Sequence, residues 1–323
     1  MPSATDLPPA AVTAELTQLR TALDGVIPPK KLDSNLLIAT WNIRAFGDLT
    51  EKWAAASGDS PKRDLRALRA ITEIVSRFDV IAIQEVKENL KCLRHMLKVL
   101  GPDWGLILTD VTRGEPGNDE RMAFVFDTRR VRPSGLACEL VVPEEWLNRI
   151  QEDALRRQFA RTPYAVSFQS AGRTFILVTL HVIYGEDPSQ RVPELKAIAE
   201  WLADWARRTN DWNQNLIALG DFNIDRVGDP LYQAFTSTGL RTPQELNDVP
   251  RTIFGGPGEG KHYDQIAWFT GENNVPELSL RYTHEAGHFD FTTSVLTSLT
   301  RQQLSWKMSD HYPLWAEFSV RDG

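Results

Sequence analysis

From residue 36 onward, short apolar runs typical of buried β-strands alternate with amphipathic segments that have the spacing of α-helices. Two runs, 164–169 and 173–182, are joined by Ser-Ala-Gly, a β-hairpin signal, whereas most others are separated by a helical segment. The pattern predicts a mixed α/β domain with hairpins and crossovers, in which helices cover the sheets. The remaining predicted strands are 36–43, 79–86, 105–111, 122–127, 215–219, 263–269 and 314–320, and the predicted helices are 61–78, 89–100, 143–158 and 192–208.

The composition is that of an ordinary globular protein, because 42% of the 323 residues are hydrophobic and 24% are charged. The net charge of −7 gives no general affinity for nucleic acid, although a local basic groove is compatible with it. Cys92 and Cys138 form neither a metal-binding spacing nor a disulfide framework, which indicates a reducing compartment. With no signal peptide and no apolar run of membrane length, we expect a cytoplasmic protein without membrane contact; secretion by another route is the alternative.

The N-terminal segment differs from the rest of the chain. Residues 10–26 have apolar side chains at helical spacing, a Pro-Pro pair ends this helix, and a polar linker follows. We predict a helical arm and linker at 1–35 and a main domain at 36–323. The arm offers no chemistry and is expected to pack on the main domain or to bind a protein partner.

A carboxylate and a carboxamide follow the apolar run 215–219. Asp221 and Asn223 lie two residues apart, which places their side chains on the same side of an extended chain. Such a pair suits the binding of a phosphate and its metal ion. The alternative is an Asx-turn, in which both side chains satisfy the local backbone.

Polar residues also end or interrupt most of the other predicted strands. Each of them alone has an ordinary explanation as a cap, a turn or a buried histidine. The acids among them, buried or half-buried, require partners or a cation, and the members of the set would supply one another with both. The set comprises Asn42, Gln84, Glu85, His181, Asp264, Ser309, Asp310 and His311.

The chemistry of this set fits one task. Glu85, Asp310 and Asn42 offer oxygen ligands suited to a hard cation such as Mg²⁺ or Ca²⁺. The sequence contains no Gly-rich P-loop and no Gly-x-Ser-x-Gly elbow. His181 and His311, with acidic neighbours, suit general acid–base attack of water on a phosphodiester.

The segments that carry these residues resemble the endonuclease/exonuclease/phosphatase superfamily, and within it the deoxyribonuclease I branch. They occur in the order of the family and span residues 36–320. The resemblance implies two mixed β-sheets packed face to face and flanked by helices, a four-layer α/β sandwich. The segments are TWNIRAFG, IAIQEVKE, ERMAFVFDTRRV, FARTPYAVSF, VTLHV, LGDFNID, YDQIAW, HFDF and SDHYPLWAEF.

The resemblance also implies a metal and phosphate site. Glu85 is expected to be the principal metal ligand, helped by Asn42 and Asp310. The expected cation is Mg²⁺, with Mn²⁺ or Ca²⁺ as alternatives, and the number of metal ions is open. Asp221 and Asn223 are expected to hold the phosphate, the attacking water or a second cation.

Acid–base roles follow from the same resemblance. His181 is expected to be the general acid, oriented by Glu120, and His311 the general base, paired with Asp264; the two roles are interchangeable at this stage. Arg161 is expected to contact the scissile phosphate, because a planar guanidinium suits phosphate oxygens.

Features outside this set bear on the substrate. Arg44 and Arg121 are expected either to contact phosphates along a groove or to form structural ion pairs. The loop 48–61, with Trp53, and the segment 142–157 lie where substrate choice is set. A Tyr-x-x-x-Lys pattern typical of abasic-site repair enzymes is absent from the sequence.

The leading hypothesis is a divalent-metal-dependent DNA endonuclease. A second hypothesis keeps the chemistry and changes the substrate to RNA, lipid head groups or small phosphoesters, which the net charge of −7 favours. A third is a non-catalytic module of the same fold that binds a partner through residues 10–26. Basic stretches at 62–63, 129–132 and 156–157 support the first hypothesis; the alternative is that they form exposed, solvated surface.

Overall fold

Two mixed six-stranded sheets pack face to face and carry helices on their outer faces. The computed structural model describes residues 1–113, 118–140, 161–185, 187–208, 215–255 and 261–321. One apolar core lies between the sheets, a second lies between the first sheet and its helices, and a third lies between the second sheet and its helices. The predicted four-layer α/β sandwich is confirmed.

The first sheet has the strand order β11-β12-β1-β2-β4-β3. Its one parallel pair in the described chain is β1–β2, and its other neighbours are antiparallel. The two carboxyl ends of this pair therefore meet at one edge of the sheet. The strands are β1 (Asn35–Phe46), β2 (Val80–Lys87), β3 (Trp104–Leu108), β4 (Glu120–Asp127), β11 (Arg281–His288) and β12 (Leu314–Ser319).

The second sheet has the order β5-β6-β7-β8-β10-β9 and repeats this arrangement. Among its described pairings only β7–β8 is parallel, and β6–β7 is the predicted hairpin. The strands are β5 (Arg132–Glu139), β6 (Tyr164–Ser170), β7 (Arg173–His181), β8 (Leu216–Ile224), β9 (Leu240–Arg241) and β10 (His262–Phe269).

Helices cover both outer faces. The first sheet is covered by α1, α2, α3 and α7, and the second by α4 and α5, while the short α6 supplies one residue to the central core. Among the described helices none is both long and apolar enough to cross a membrane. The helices are α1 (Ala10–Asp24), α2 (Leu65–Val75), α3 (Lys91–Leu100), α4 (Arg191–Arg207), α5 (Pro230–Thr236), α6 (Gln244–Asn247) and α7 (Arg301–Lys307), with 3₁₀ turns at Pro188–Gln190, Glu272–Asn274 and Phe291–Thr293.

Some predicted boundaries were wrong. The helix predicted from residue 61 begins at Leu65, because the Asp64 side chain accepts a hydrogen bond from the Ala67 N–H at 3.0 Å and caps the helix. Strands β5, β9 and β11 were not predicted, since the first and last are edge strands with many exposed side chains and β9 has two residues. The helix predicted at 143–158 lies outside the described residues.

The N-terminal helix α1 contributes to the core. Leu16, Leu19 and Leu23 are buried in the cluster that also contains the apolar face of α2. At its edge, Glu15 accepts hydrogen bonds from the Arg66 guanidinium at 2.6 and 2.8 Å and from the Leu296 N–H at 2.7 Å. The apolar face predicted for residues 10–26 therefore packs on the chain itself; the division into 1–35 and 36–323 stays a prediction.

Candidate active site

Each sheet has a parallel pair of strands at its centre, β1–β2 in the first and β7–β8 in the second. The carboxyl ends of these two pairs lie across from each other and carry several of the polar residues discussed above. In the second sheet His181 pairs with Asp221, and Asp264 of β10 pairs with the same Asp221 from the other side. Asn42 lies in β1 of the first sheet, where its regular pairing with β2 is interrupted, and its Nδ2 donates a hydrogen bond to Asp221 Oδ2 at 2.9 Å. Asp221 thus lies where the two sheets meet. Ligands bind preferentially at such carboxyl ends of strands.

The turn at Asp221 combines both interpretations of its sequence. Asp221 Oδ1 accepts the Asn223 N–H at 2.9 Å, which is the contact of an Asx-turn, while Oδ2 faces Asn42. Asn223 has φ 50°, a left-handed conformation that asparagine tolerates, and its Nδ2 donates to the Val182 carbonyl at 2.7 Å. The Asx-turn therefore holds the Asp221 carboxylate toward the space between the sheets.

Gly220, directly before Asp221, is required by close packing. Its φ is 141°, and a Cβ at this position would lie 2.1 Å from the backbone oxygen of Leu180. Only glycine lets β8 approach β7 this closely at the point where both strands deliver their functional residues.

His311 and Asp264 form a buried pair. His311 Nδ1 lies 2.6 Å from Asp264 Oδ2, and the Asp264 side chain is completely buried. Burial alone would lower the pKa of His311, but the adjacent Asp264 carboxylate outweighs it and the pKa is raised. The Tyr263 ring stacks on His311 with 5.8 Å between centroids, which fixes the orientation of the imidazole.

His181 belongs to a larger charged group. Its Nδ1 lies 3.2 Å from Glu120 Oε2, and Arg161 Nε lies 2.7 Å from the same oxygen. The other oxygen of Glu120 accepts hydrogen bonds from Lys87 Nζ at 2.8 Å and Asn118 Nδ2 at 2.6 Å. Burial opposes ionisation of Glu120, but His181, Arg161 and Lys87 outweigh it and lower its pKa to about 2.

Asp221 links the two groups. Its Oδ2 lies 3.7 Å from His181 Nε2, and its carboxylate, Asp264 and His311 each offer a ligand atom within 4.8 Å of the others. These three side chains could hold a cation. They include Asp221, which was predicted to hold the phosphate, and Asp264, which was predicted to pair with the general base. They do not include the predicted metal ligands.

Those ligands lie in the C-terminal halves of β1 and β2 and in the segment that precedes β12. Asn42 Oδ1 is buried and has no hydrogen-bond partner in the described chain, which suits an oxygen that faces a cation. One Glu85 oxygen accepts the Ala45 N–H at 2.8 Å, and Asp310 Oδ2 lies 3.3 Å from Arg44 Nη1. An amide oxygen with two carboxylates is a donor set that fits a hard divalent cation.

Arg63 is a supporting residue that the sequence interpretation missed. It was counted as part of an exposed basic stretch, but it is 2% exposed and donates to four backbone carbonyls at 2.6 to 2.9 Å. Two of these carbonyls, of Arg44 and Ala45, follow Asn42; the other two, of Lys307 and Met308, precede Asp310. Arg63 therefore ties two of the segments that carry predicted metal ligands. A buried arginine has no signal of its own in a sequence.

Other predicted positions have structural contacts. Arg44 stacks on the Trp306 ring at 3.8 Å, and Arg121 Nη1 lies 3.4 Å from Asp110 Oδ1. Trp53 packs against the helix-side core of the first sheet. In the HFDF segment, the Phe291 ring is buried against Trp41, with 5.8 Å between centroids. Whether loop 48–61 sets substrate choice stays a prediction, and 142–157 falls outside the described residues.

Comparison with known proteins agrees with the fold and the motifs. The model of the Endonuclease/Exonuclease/phosphatase family matches residues 39–311. A deoxyribonuclease of Thioalkalivibrio sp. (strain K90mix) is 30% identical over 207 residues, which cover 62% of this chain and about half, 49%, of that protein. Deoxyribonuclease gamma of Rattus norvegicus is 26% identical over 302 residues, covering 89% of this chain and 85% of that protein.

A solved structure shows the same fold at lower identity. The mannosyl-6-phosphatase Bt3783 of Bacteroides thetaiotaomicron VPI-5482 superposes with a TM-score of 0.54 and 19% identity, covering 88% of this chain and 99% of that one. The family match contains every residue of the site described above and ends at His311, before β12. The chain belongs to the Endonuclease/Exonuclease/phosphatase family, in its deoxyribonuclease I-like branch.

Proposed function

We propose that this chain is a divalent-metal-dependent phosphodiesterase that hydrolyses the DNA backbone as an endonuclease. The observation that carries the proposal is the placement of two histidine–carboxylate pairs on either side of Asp221. Deoxyribonucleases among its relatives support DNA as the substrate. Two imidazoles with carboxylate partners provide a proton acceptor and a proton donor at one phosphodiester.

In this proposal His311 is the general base. Its Nδ1 contacts Asp264, so Nε2 is the nitrogen left to take a proton from water. The Asp264 carboxylate stabilises the imidazolium that results. The Asp264 carboxylate also favours the protonated form of His311 before the reaction. The competing version of the proposal therefore makes His311 the general acid and His181 the general base.

His181 is then the general acid toward the leaving oxygen. The Glu120 carboxylate lies at its Nδ1, and Arg161 shares that carboxylate. From this position the Arg161 guanidinium contacts the scissile phosphate, and Asp221 and Asn223 position the attacking water and the phosphate.

Glu85, Asn42 and Asp310 would hold the cation, for which we propose Mg²⁺, with Mn²⁺ or Ca²⁺ as alternatives. A divalent cation there would offset the negative charge on the phosphate oxygens. The unpartnered Asn42 Oδ1 is the observation that supports this placement. We further propose the cytoplasm as the site of action.

The second candidate keeps this chemistry and changes the substrate to RNA, a lipid head group or a small phosphoester. The net charge of −7 favours the lipid head group and the small phosphoester, because an acidic protein repels a polyanion, DNA or RNA, outside any local basic surface.

A substrate panel tests the proposal. Supercoiled plasmid, linear DNA, RNA, sphingomyelin and a small phosphodiester are each incubated with Mg²⁺ or Mn²⁺, with and without EDTA, and Glu85→Ala is the control. We expect nicking of the plasmid that EDTA abolishes and Glu85→Ala strongly reduces. Absence of cutting on every DNA, with turnover of another phosphoester, would replace the first candidate with the second.

A further inference from the structure

A cleft of about 620 Å³ lies beside the candidate active site, along helix α3. Its lining includes Lys91, Arg94, His95 and Lys98, which are spaced i, i+3, i+4 and i+7 and so share one face of the helix. Arg121 of β4 lines the cleft as well. We call the four α3 residues the basic stripe. The opposite face of α3 buries apolar side chains in the core, so the stripe is not required for packing.

Part of this charge is neutralised and part is not. Lys91 Nζ lies 2.9 Å from Asp48 Oδ1, and His95 Nε2 lies 3.4 Å from Glu51 Oε1. Arg94 and Lys98 are exposed, and within the described residues neither has an acidic partner at ion-pair distance. The cleft of this chain of net charge −7 therefore presents two cations one helical turn apart.

The cleft is lined by two chain segments that follow site residues in the sequence. Glu88, which lines the cleft, is three residues beyond Glu85, a separation of at most roughly 10 Å. Arg121 directly follows Glu120 in β4, and because successive strand residues point to opposite faces, Glu120 faces His181 and Arg121 faces the cleft along α3. A small phosphoester cannot span that distance, whereas a polynucleotide places a phosphate about every 3.4 Å along each strand. The concave shape does not fit the flat surface of a membrane.

We propose that the basic stripe, through Arg94 and Lys98, binds the sugar–phosphate backbone of duplex DNA at a position away from the bond that is cut. This inference rests on the proposed function and names a surface that positions a polymer. Cation–phosphate contacts of this kind add affinity that is independent of sequence and falls as salt concentration rises.

Binding of a short fluorescent duplex tests it, with Mg²⁺ present and His311→Ala as the parent, so that DNA is bound and not cut. The Arg94→Gln/Lys98→Gln variant is compared with Lys196→Gln/Arg207→Gln, which removes one lysine and one arginine from the exposed surface of α4. We expect the α3 variant to bind roughly tenfold more weakly and its log–log salt slope to fall by about 1.8, at 0.9 for each phosphate contact. The α4 control should match the parent.

Turnover of bis(4-nitrophenyl) phosphate by the protein with His311 intact gives a second readout. The α3 variant should keep the kcat and KM of the unmodified protein on this small substrate, while its KM for DNA rises. An unchanged salt slope, or an equal loss in the α4 control, would overturn the cleft proposal and leave the proposed function standing. If the His311→Ala parent does not bind DNA and the protein with His311 intact does not cut it, both the cleft proposal and the proposed function are wrong.

Discussion

The two histidine–carboxylate pairs are built differently. Asp264 touches His311 at 2.6 Å and serves no other side chain among the described contacts, and its Oδ1 has no hydrogen-bond partner there. Glu120 lies 3.2 Å from His181 and divides its charge among Arg161, Lys87 and Asn118 as well. One carboxylate is dedicated to its imidazole, and the other is shared.

The two carboxylates are therefore expected to act on their histidines in different ways. A dedicated buried carboxylate controls both the tautomer and the proton affinity of its histidine, because among the described contacts no other side chain hydrogen-bonds to it; Arg251 acts on the Asp264 carboxylate through its charge alone. A shared carboxylate fixes a cluster of cations and contributes less to any one of them. Removing each carboxylate should therefore have unequal effects.

The largest effect is expected for Asp264→Asn. Without the negative charge the imidazolium of His311 loses its stabilisation, and the amide can hold the wrong tautomer. We expect kcat on plasmid DNA to fall by about 10³–10⁴-fold with little change in KM. Circular dichroism checks that the fold is kept. A loss under about tenfold in a folded variant would show that the dedicated pair does not control the proton transfer.

Glu120→Gln should cost less. The glutamine amide can still accept hydrogen bonds from Lys87 and Asn118, and Arg161 keeps its phosphate role, so we expect kcat to fall by about 10–10²-fold. Steady-state kinetics on the same DNA provides the comparison. Equal losses for Glu120→Gln and Asp264→Asn would break the distinction between shared and dedicated carboxylates.

Stability in acid should also distinguish them. The pKa of Glu120 is about 2 against an ordinary 4.5, so its contribution to folding is complete above pH 4.5 and is lost as the pH falls toward 2. At 1.36 kcal/mol per pKa unit the contribution near neutral pH is about 3 kcal/mol. Denaturant unfolding should show Glu120→Gln destabilised near neutral pH, with the difference from the native protein shrinking in acid.

Asp264→Asn serves as the comparison for that experiment. Burial raises the pKa of Asp264, although His311 opposes the shift, so its ionised form should add no such acid-sensitive stability. A parallel acid dependence in both variants would contradict this assignment.

The smallest effect is expected for Asn118→Ala. It removes one of the neutral donors to Glu120 and leaves the contacts of His181 and Arg161 with that carboxylate in place. We expect kcat to change by no more than about threefold, because the remaining cations still hold the carboxylate. A loss approaching that of Glu120→Gln would show that Asn118 sets the position of the shared carboxylate.

Residues that follow clear apolar strands were accessible from sequence. His181, Asp221 and Asp264 each interrupt or end such a run, and the structure places them together. Glu120 and Arg161 came only from the resemblance, because Glu120 begins its strand and Arg161 follows a segment without an apolar pattern. Lys87 and Asn118 were missed, since only the antiparallel pairing of β2 with β4 brings Lys87 to Glu120.

The sequence by itself determined the α/β class, the family and the chemical inventory, because strand periodicity and short motifs are local properties of the chain. The tertiary structure decided which carboxylate serves which histidine, that Arg63 is buried between the ends of two segments, and that α3 turns its basic face toward a cleft. Those outcomes depend on contacts between residues far apart in the chain, such as Asn42 with Asp221 and Asp264 with His311. Sheet register and burial fix such contacts, and no local pattern encodes them.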